Sequence, residues 1–261
     1  MESNGAPPVE ASATRGLGAL RLNDVIDAGL RTALAEDTLT DFVLLKADES
    51  LLFSGVVSLP IVSPDGAATI ADLIRPLLGR GGDGVGSMHN YGTDLATLAP
   101  GLLAELRAIF ARLFAAVYVP PGSLADELVE HSAHAIGYGI GPTRERALRL
   151  HVDDSTYTAS LCFSAAGCTG AALRFTGAQA VPGLPSLARV QRLGHRDELP
   201  AQPRAGWALL HRGCHPHRTT PIEAGERINA VLWYHVLGRP ATVAQPDASV
   251  CKPVGPAAGD S

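Results

Sequence analysis

His151-Val152-Asp153, followed 66 residues after the first histidine by His217, is the pattern that decides the fold and the chemistry of this chain. Two imidazoles and one carboxylate in this order are the donors of a facial iron(II) site, which leaves three coordination positions open. On a regular strand, His151 and Asp153 point to the same face. A lone His-x-Asp pair is a weak signal, so the prediction depends on the distal histidine and on the residues around it.

Three histidines compete for the distal position within His211-Arg-Gly-Cys-His-Pro-His217. One alternative is a zinc site that uses Cys214, but the stretch lacks the paired CxxC or HxxxH spacing of structural zinc. We favour His217, because a short strand, a turn and a return strand would then bring Arg227 beside the same cavity. His215 stays open as the alternative ligand, and His211 is either a core residue or a neighbour of the ligands.

Arg227 stands between Gly225 and the apolar run Ala230-Val-Leu-Trp233, which favours a buried side chain. A buried guanidinium needs an anionic partner, and its planar fork matches a carboxylate. A dicarboxylate that chelates the metal at one end would supply that partner at the other. The triad and the arginine together therefore predict an oxygenase that depends on iron(II) and 2-oxoglutarate.

The order of the elements predicts an α+β fold. Pro100–Val117 is the clearest helix, with one apolar stripe, and Phe42-Val-Leu-Leu45 resembles a strand. After residue 131 short strands alternate with turns, at 133–139, 147–152, 156–163, 171–176, 187–193, 206–211, 216–222 and 227–236. We expect a double-stranded β-helix of the jelly-roll or cupin-like kind, supported by N-terminal helices. The expected division is a disordered N-terminus (1–18), a helical support region (19–130), the dioxygenase core (131–237) and a flexible tail (238–261).

Composition excludes several classes of protein. The net charge of −5 gives no electrostatic reason to expect a nucleic-acid partner. Neither a signal peptide nor an apolar run long enough for a membrane span is present. The four cysteines form no CxxC pair, which is typical of a reducing compartment. We expect a soluble, cytoplasmic protein without a membrane partner; the sequence does not indicate its oligomeric state.

From about residue 87 to 237 the chain resembles the prolyl-4-hydroxylase-like branch of the iron(II)/2-oxoglutarate oxygenases. The matching segments occur in the order Ser87–Gly92, Gly122–Leu124, His151–Thr158, Leu210–Gly213 and His217–Trp233. The chain departs from the branch at two positions near the expected mouth of the barrel. Ala171 follows Gly170 where a double glycine is usual, and Arg218 follows the distal histidine where glycine is common.

The resemblance implies that His151, Asp153 and His217 hold iron and that Arg227 binds the distal carboxylate of 2-oxoglutarate. It also implies that Tyr138 lines the co-substrate pocket and that Thr158 lies near the co-substrate. From the residues alone, a strand-core position is the favoured interpretation of Tyr138, while for Thr158 a simple β-favouring strand residue is an equal alternative. Asn229, two residues after Arg227, faces the same side and is expected to assist it.

The resemblance therefore implies iron(II) and 2-oxoglutarate as cofactor and co-substrate, with ascorbate as a further candidate cofactor. The expected reaction consumes 2-oxoglutarate and dioxygen, hydroxylates a C–H bond of a peptidyl or small-molecule substrate, and releases succinate and carbon dioxide. Two alternatives belong to other classes. One is a non-redox jelly-roll protein that binds a metal or a small acid, and the other is an interaction module whose helical half binds a protein partner.

Overall fold

The computed structural model describes residues 8–52, 54–78, 92–120, 128–139, 147–184 and 197–236. Its helices are α1 (Pro8–Ala19), α2 (Leu22–Val25), α3 (Ala28–Glu36), α4 (Leu39–Lys46), α5 (Glu49–Leu52), α6 (Pro64–Ile74), α7 (Leu95–Leu98) and α8 (Pro100–Tyr118). Its strands are β1 (Val57–Pro60), β2 (Gly92–Asp94), β3 (Leu128–Gly139), β4 (Leu148–His151), β5 (Tyr157–Ser164), β6 (Thr169–Gly170), β7 (Leu173–Thr176), β8 (Glu198–Ala201), β9 (Trp207–Arg212), β10 (His217–Thr219), β11 (Ile222–Ala224) and β12 (Glu226–Val236).

The larger sheet has six antiparallel strands in the order β1-β9-β5-β12-β3-β2. Because side chains alternate along a strand, this sheet has two faces of different chemistry. One face is apolar and joins the main core, as Ala159, Leu161, Ala230 and Leu232 show. The opposite face carries the polar side chains of the central strands, and it is the face on which the candidate site is built.

The second sheet has four strands in the order β4-β10-β7-β8, and β11 pairs with β6 beside it. Smaller apolar clusters join the sheets: Phe175 of β7 packs with Leu209 of β9, and Ile222 of β11 packs with Ile136 of β3. This pair of antiparallel sheets is the double-stranded β-helix that the sequence predicts, and the prediction of the fold is confirmed.

The helices cover the apolar face of the larger sheet. α8 begins with Pro100, which suits the first helical position, and its apolar stripe is buried as the periodicity predicts. The ring of Phe114 packs against Tyr157 of β5 and Tyr234 of β12, with centroids 5.2 Å apart in each pair. The helical region therefore shares one core with the barrel and supports the strands that carry the site.

Two expectations about the N-terminal half are wrong. Residues 8–18 were expected to be disordered, but they form most of α1, which buries Ala13 and Leu17 in the main core. Phe42–Leu45, expected as a strand, lies within α4. A helix turns each successive side chain by about a quarter turn, so Phe42 and Val43 are buried while Leu45 is exposed.

Other expectations fall outside the described residues: the strand at 187–193, the segments 87–91 and 122–124, and the tail at 238–261. Among the described helices, none combines the length and the apolar character that a membrane span requires. Cys162 and Cys168 are free, whereas Cys214 is disulfide-bonded.

Candidate metal and co-substrate site

His151, Asp153 and His217 converge where the two sheets meet. His151 ends β4, His217 begins β10, and the two residues are direct partners in the antiparallel register. Their ring centroids lie 4.4 Å apart. One carboxylate oxygen, Oδ1 of Asp153, is 3.6 Å from Nε2 of His151 and 3.8 Å from Nε2 of His217. Within the described residues, this is the one group of three side chains whose ligand atoms could hold a metal ion together.

The hydrogen bonds of the two rings show which nitrogen faces the centre. Nδ1 of His151 lies 2.6 Å from the Arg149 carbonyl oxygen, and Nδ1 of His217 lies 2.9 Å from that of His215. A carbonyl oxygen only accepts, so both Nδ1 atoms donate. Each neutral ring then directs its Nε2 lone pair toward the Asp153 carboxylate. Three acceptor atoms that face one another need a cation between them, so these residues fit a divalent metal ion.

Asp153 is held in place by two neighbouring segments. The Thr158 hydroxyl donates to Oδ2 of Asp153 at 2.6 Å, and it also contacts the Ser155 hydroxyl at 2.9 Å. The backbone N–H of Asp153 donates to the Gly213 carbonyl oxygen, and the Gly213 N–H donates to that of Thr156. The turn after β9 is thereby fastened to the turn before β5, which fixes the carboxylate relative to His217.

The pKa values depend on burial and on these contacts. Burial is the largest influence on Asp153 and opposes ionisation, but the neighbouring imidazoles of His151 and His217 and the Thr158 hydroxyl hold its pKa well below the usual range. The Asp153 carboxylate raises the pKa of His151. Burial lowers the pKa of His217. The cluster therefore combines an ionised carboxylate with a buried imidazole that is neutral at pH 7, the forms in which both side chains bind metals.

His215, the alternative third ligand, lies outside this cluster. Its Nε2 atom donates to the Gly177 carbonyl oxygen at 3.3 Å, and burial lowers its pKa to about 4. His211 is closer, with Nε2 3.9 Å from Oδ2 of Asp153. The geometry therefore favours His217 over His215 as the distal donor.

Arg227 lies inside the barrel and is 1% exposed. One terminal nitrogen donates to the Ala171 carbonyl oxygen, and the guanidinium lies over the Tyr138 ring, 4.0 Å from its centroid. Within the described residues its Nε atom has no hydrogen-bond partner, and no carboxylate pairs with its charge. A guanidinium that is buried with a spare donor matches an anionic ligand.

The remaining predicted residues surround these two groups. Tyr138 pairs with Arg227 across the β3–β12 ladder and stacks on it. The amide nitrogen of Asn229 donates to the Ser160 hydroxyl at 2.9 Å, and its oxygen has no partner among the described residues. Thr158 contacts Asp153 itself. The structure thus places Tyr138 and Asn229 beside the arginine and Thr158 beside the metal cluster.

The two departures from the family pattern lie close to the site. Ala171 adopts a left-handed backbone with φ of 50°, and its carbonyl oxygen is the one that Arg227 contacts. Arg218 points away from the cluster and forms a two-pronged ion pair with Glu198, at 2.9 and 2.7 Å. Arg218 therefore does not add an unpaired charge to the mouth of the barrel.

Sequence reasoning did not assign a role to Gly213 or Ser160 and left His211 undecided. A Cβ atom added at Gly213 would lie 2.0 Å from the Ser155 carbonyl oxygen, so the close approach of the two turns requires glycine. Ser160 could have been found, because it alternates with Thr158 on the polar face of β5. The closeness of His211 to Asp153 depends on the path of the turn after β9. The pattern of apolar and polar residues does not predict that path.

No protein-family model matches the chain. It is 31% identical over 151 residues to human 2-oxoglutarate and iron-dependent oxygenase domain-containing protein 2, a match that covers 56% of this chain and 39% of that protein. It is 28% identical over 148 residues to the Arabidopsis thaliana oxygenase domain-containing protein ICU11, covering 56% and 35% of the two chains. The match thus spans well under half the length of these curated relatives.

Solved structures share the fold. The non-heme alpha ketoglutarate dependent epimerase SnoN superposes with a TM-score of 0.53 at 16% identity, covering 86% of this chain and 97% of its own. A prolyl hydroxylase from Trichoplax adhaerens superposes with a TM-score of 0.52 at 13% identity, covering 78% and 92%. At these sequence identities, the similarity shows that the fold is shared and does not extend to activity or substrate.

Proposed function

We propose that this chain, a distant relative of the 2-oxoglutarate and iron-dependent oxygenase domain proteins, is an iron(II)- and 2-oxoglutarate-dependent dioxygenase. The observation that carries the proposal is the presence, inside one barrel, of a His-Asp-His acceptor cluster and a buried guanidinium without a carboxylate partner among the described residues. The first fits a divalent cation and the second fits an anion. A metal-chelating dicarboxylate satisfies both.

In this proposal His151, Asp153 and His217 hold iron(II). The Nδ1 bonds of the two histidines fix the ring orientations before the metal arrives, which lowers the entropic cost of binding. Only one carboxylate takes part, so the protein leaves coordination positions for 2-oxoglutarate and dioxygen.

Arg227 binds the far carboxylate of 2-oxoglutarate through its free Nε–H and its terminal nitrogens. Tyr138 holds the guanidinium by a cation–π contact, and Asn229 follows Arg227 two residues along β12, on the same face. Ile136 and Val231 belong to the same apolar cluster as Tyr138, and such low-polarity surroundings strengthen an ionic contact of Arg227.

The bound cofactor supplies the redox chemistry, in which 2-oxoglutarate, dioxygen and a C–H bond become succinate, carbon dioxide and an alcohol. The substrate in this proposal is peptidyl or a small molecule, and ascorbate is a candidate for keeping the iron reduced. The chain itself orients the co-substrate through Arg227 and keeps the metal-binding carboxylate ionised through Thr158 and its histidine neighbours.

The test needs no substrate. Anaerobic titration of 2-oxoglutarate into the iron(II)-loaded protein is expected to produce the visible charge-transfer absorption of an iron(II)–2-oxoglutarate chelate. Admitting oxygen is then expected to yield slow, uncoupled succinate formation. Asp153→Ala should abolish both signals. Metal binding without the absorption band, or the band without succinate, would instead support the non-redox protein that binds a metal and a small acid.

A further inference from the structure

His211 lies beside the metal cluster without belonging to it. It is 1% exposed, and its ring packs 4.7 Å from His217 and 5.1 Å from Phe175, measured between centroids. Its Nε2 atom is 3.9 Å from Oδ2 of Asp153. That oxygen is the one that faces away from His151 and His217, whose Nε2 atoms both approach Oδ1.

The tautomer of His211 is set by its other nitrogen. Nδ1 lies 2.9 Å from the Arg212 carbonyl oxygen, which only accepts, so Nδ1 carries the hydrogen. The neutral ring then presents a lone pair at Nε2. Two acceptors, this lone pair and the carboxylate oxygen, thus face each other in a buried place at a distance too long for a direct hydrogen bond.

We propose that His211 is a positioning residue of the metal site, which holds Oδ2 of Asp153 through a bridging water molecule. Water is the small ligand with two hydrogens to donate, one to Nε2 and one to Oδ2, and such a bridge is nearly as favourable as a direct bond. The Thr158 hydroxyl donates to the same oxygen. With Oδ2 fixed by these two donors, Oδ1 keeps its orientation toward His151 and His217. The inference rests on the proposed function, because it assigns a partner to the metal-binding carboxylate.

The experiment measures metal affinity with Co(II) as the probe, by titrating the metal-free protein and following visible absorption. His211→Asn keeps an amide donor near the Arg212 carbonyl oxygen and removes the acceptor at the Nε2 position. It is expected to weaken Co(II) binding by about 10-fold, the lower range for loss of a group that orients a ligand. His211→Gln places an amide oxygen near the Nε2 position, and it is expected to restore most of the affinity.

The matched control is His215→Asn. His215 is equally buried and also packs on Phe175, but its side chain is bonded to Gly177 and is not directed at Asp153. The substitution removes only the side chain and keeps the backbone carbonyl that accepts from His217, so it should leave the Co(II) affinity unchanged. The unfolding midpoint of the metal-free protein serves as a second measurement. A purely structural role for His211 would lower that midpoint in both His211 variants and would overturn the proposal.

Two further outcomes are decisive. If His211→Asn binds Co(II) as tightly as the wild type, the inference is wrong while the proposed function stands. If the variant changes the intensity of the Co(II) absorption, so that the coordination number differs, His211 is a direct ligand and the positioning role is overturned. Failure of the wild-type protein to bind Co(II) would instead contradict the proposed function.

Discussion

At the scale of single residues, Asp153 uses its two carboxylate oxygens for different contacts. Oδ1 faces the Nε2 atoms of His151 and His217, and Oδ2 accepts from Thr158. A monodentate carboxylate needs such a donor, because free rotation would carry the binding oxygen away from the metal. The precision of the site therefore depends on a hydroxyl that binds no metal itself.

Thr158→Val tests this dependence. Valine keeps the branched shape of the buried strand residue but removes the hydroxyl, and we expect Co(II) affinity to fall by about 10-fold. Thr158→Ser, which retains the hydroxyl, should bind nearly as well as the wild type. Equal affinities for all three proteins would mean that Thr158 only fills space in β5.

Arg227 gives a second prediction at this scale. In the Co(II)-loaded protein, 2-oxoglutarate at 100 times its Kd should raise the free energy of unfolding by about 2.7 kcal/mol, since the ligand binds the folded state. Arg227→Met should abolish that increment, because the far carboxylate loses its only expected cationic partner. Urea unfolding with and without 2-oxoglutarate measures the difference.

Arg212→Met is the matched control. Arg212 is also buried, but its guanidinium lies over Tyr118 and Tyr157 and donates to the Ala180 carbonyl oxygen. Since Tyr157 belongs to the helix-facing side of β5, this variant should keep the increment due to 2-oxoglutarate. Loss of the increment in both variants would show that it reports general stability rather than ligand contact.

At the scale of elements, the site depends on two turns that touch. The turn after β9 carries His215 and leads to His217, and the turn after β4 carries Asp153. Gly213 joins them through two backbone hydrogen bonds. A strand ladder fixes only the register of paired residues, so this contact between turns is what sets the distance from the carboxylate to the distal histidine.

Gly213→Ala should separate the turns. The added Cβ would lie 2.0 Å from the Ser155 carbonyl oxygen, which belongs to the backbone and cannot rotate away. We expect the unfolding free energy to fall by about 1–3 kcal/mol and Co(II) affinity to weaken with it.

In Gly101→Ala, near the start of α8, the added Cβ would meet only Nη1 of Arg21 at 3.9 Å. That control should keep the metal affinity and gain about 0.5 kcal/mol of stability from helix propensity. Unchanged metal affinity in Gly213→Ala would separate the turn contact from the site.

The elements also show how far the sequence could be read. The pairing of His151 with Asp153 was predictable from their spacing, but β4 ends at His151 and Asp153 lies in the turn after it, so the period of a strand is not what brings the two side chains together. The apolar stripe of α8 repeats along the whole helix, which made its assignment unambiguous. Phe42–Leu45 was misread because four apolar residues satisfy both periods, and only their packing decides between strand and helix. α1 was missed because its sequence is rich in small residues and shows no clear apolar periodicity, although Ala13 and Leu17 are buried in the core.

At the scale of the whole molecule, the larger sheet separates two kinds of burial. Its helix-facing side contributes stability through apolar packing. Its barrel side buries polar atoms without a hydrogen-bond partner among the described residues, such as Nε of Arg227 and Oδ1 of Asn229. Burying such groups costs free energy in the ligand-free protein. In the metal-free protein, we therefore expect the apolar packing on the helix-facing side to raise the free energy of unfolding. The buried polar groups on the barrel side should lower it, most of all at acidic pH.

The pH dependence of the metal-free protein is governed by the buried histidines. Burial lowers the pKa of His211 to about 3, that of His215 to about 4, and that of His217 as well. The unfolded chain takes up protons at these residues below pH 6.5, the ordinary value, while the folded chain does not. Stability from these residues is thus complete above pH 6.5 and falls toward pH 4, because protons then favour the unfolded state.

His151 acts in the opposite direction. The Asp153 carboxylate raises its pKa, so its contribution is present in acid and is lost as pH rises through that value. Among the described histidines with shifted pKa values, three are lowered and one is raised, which leaves a net loss of stability on acidification between pH 6.5 and 4. Each lowered histidine adds up to about 1.4 kcal/mol per pH unit to the slope. Urea unfolding of the metal-free protein across this range measures the slope, and His215→Asn should reduce it by the share of one proton. A slope of the opposite sign would mean that the cluster is protonated as a unit in the folded state, and the acceptor geometry assigned to His217 and His211 would then be wrong.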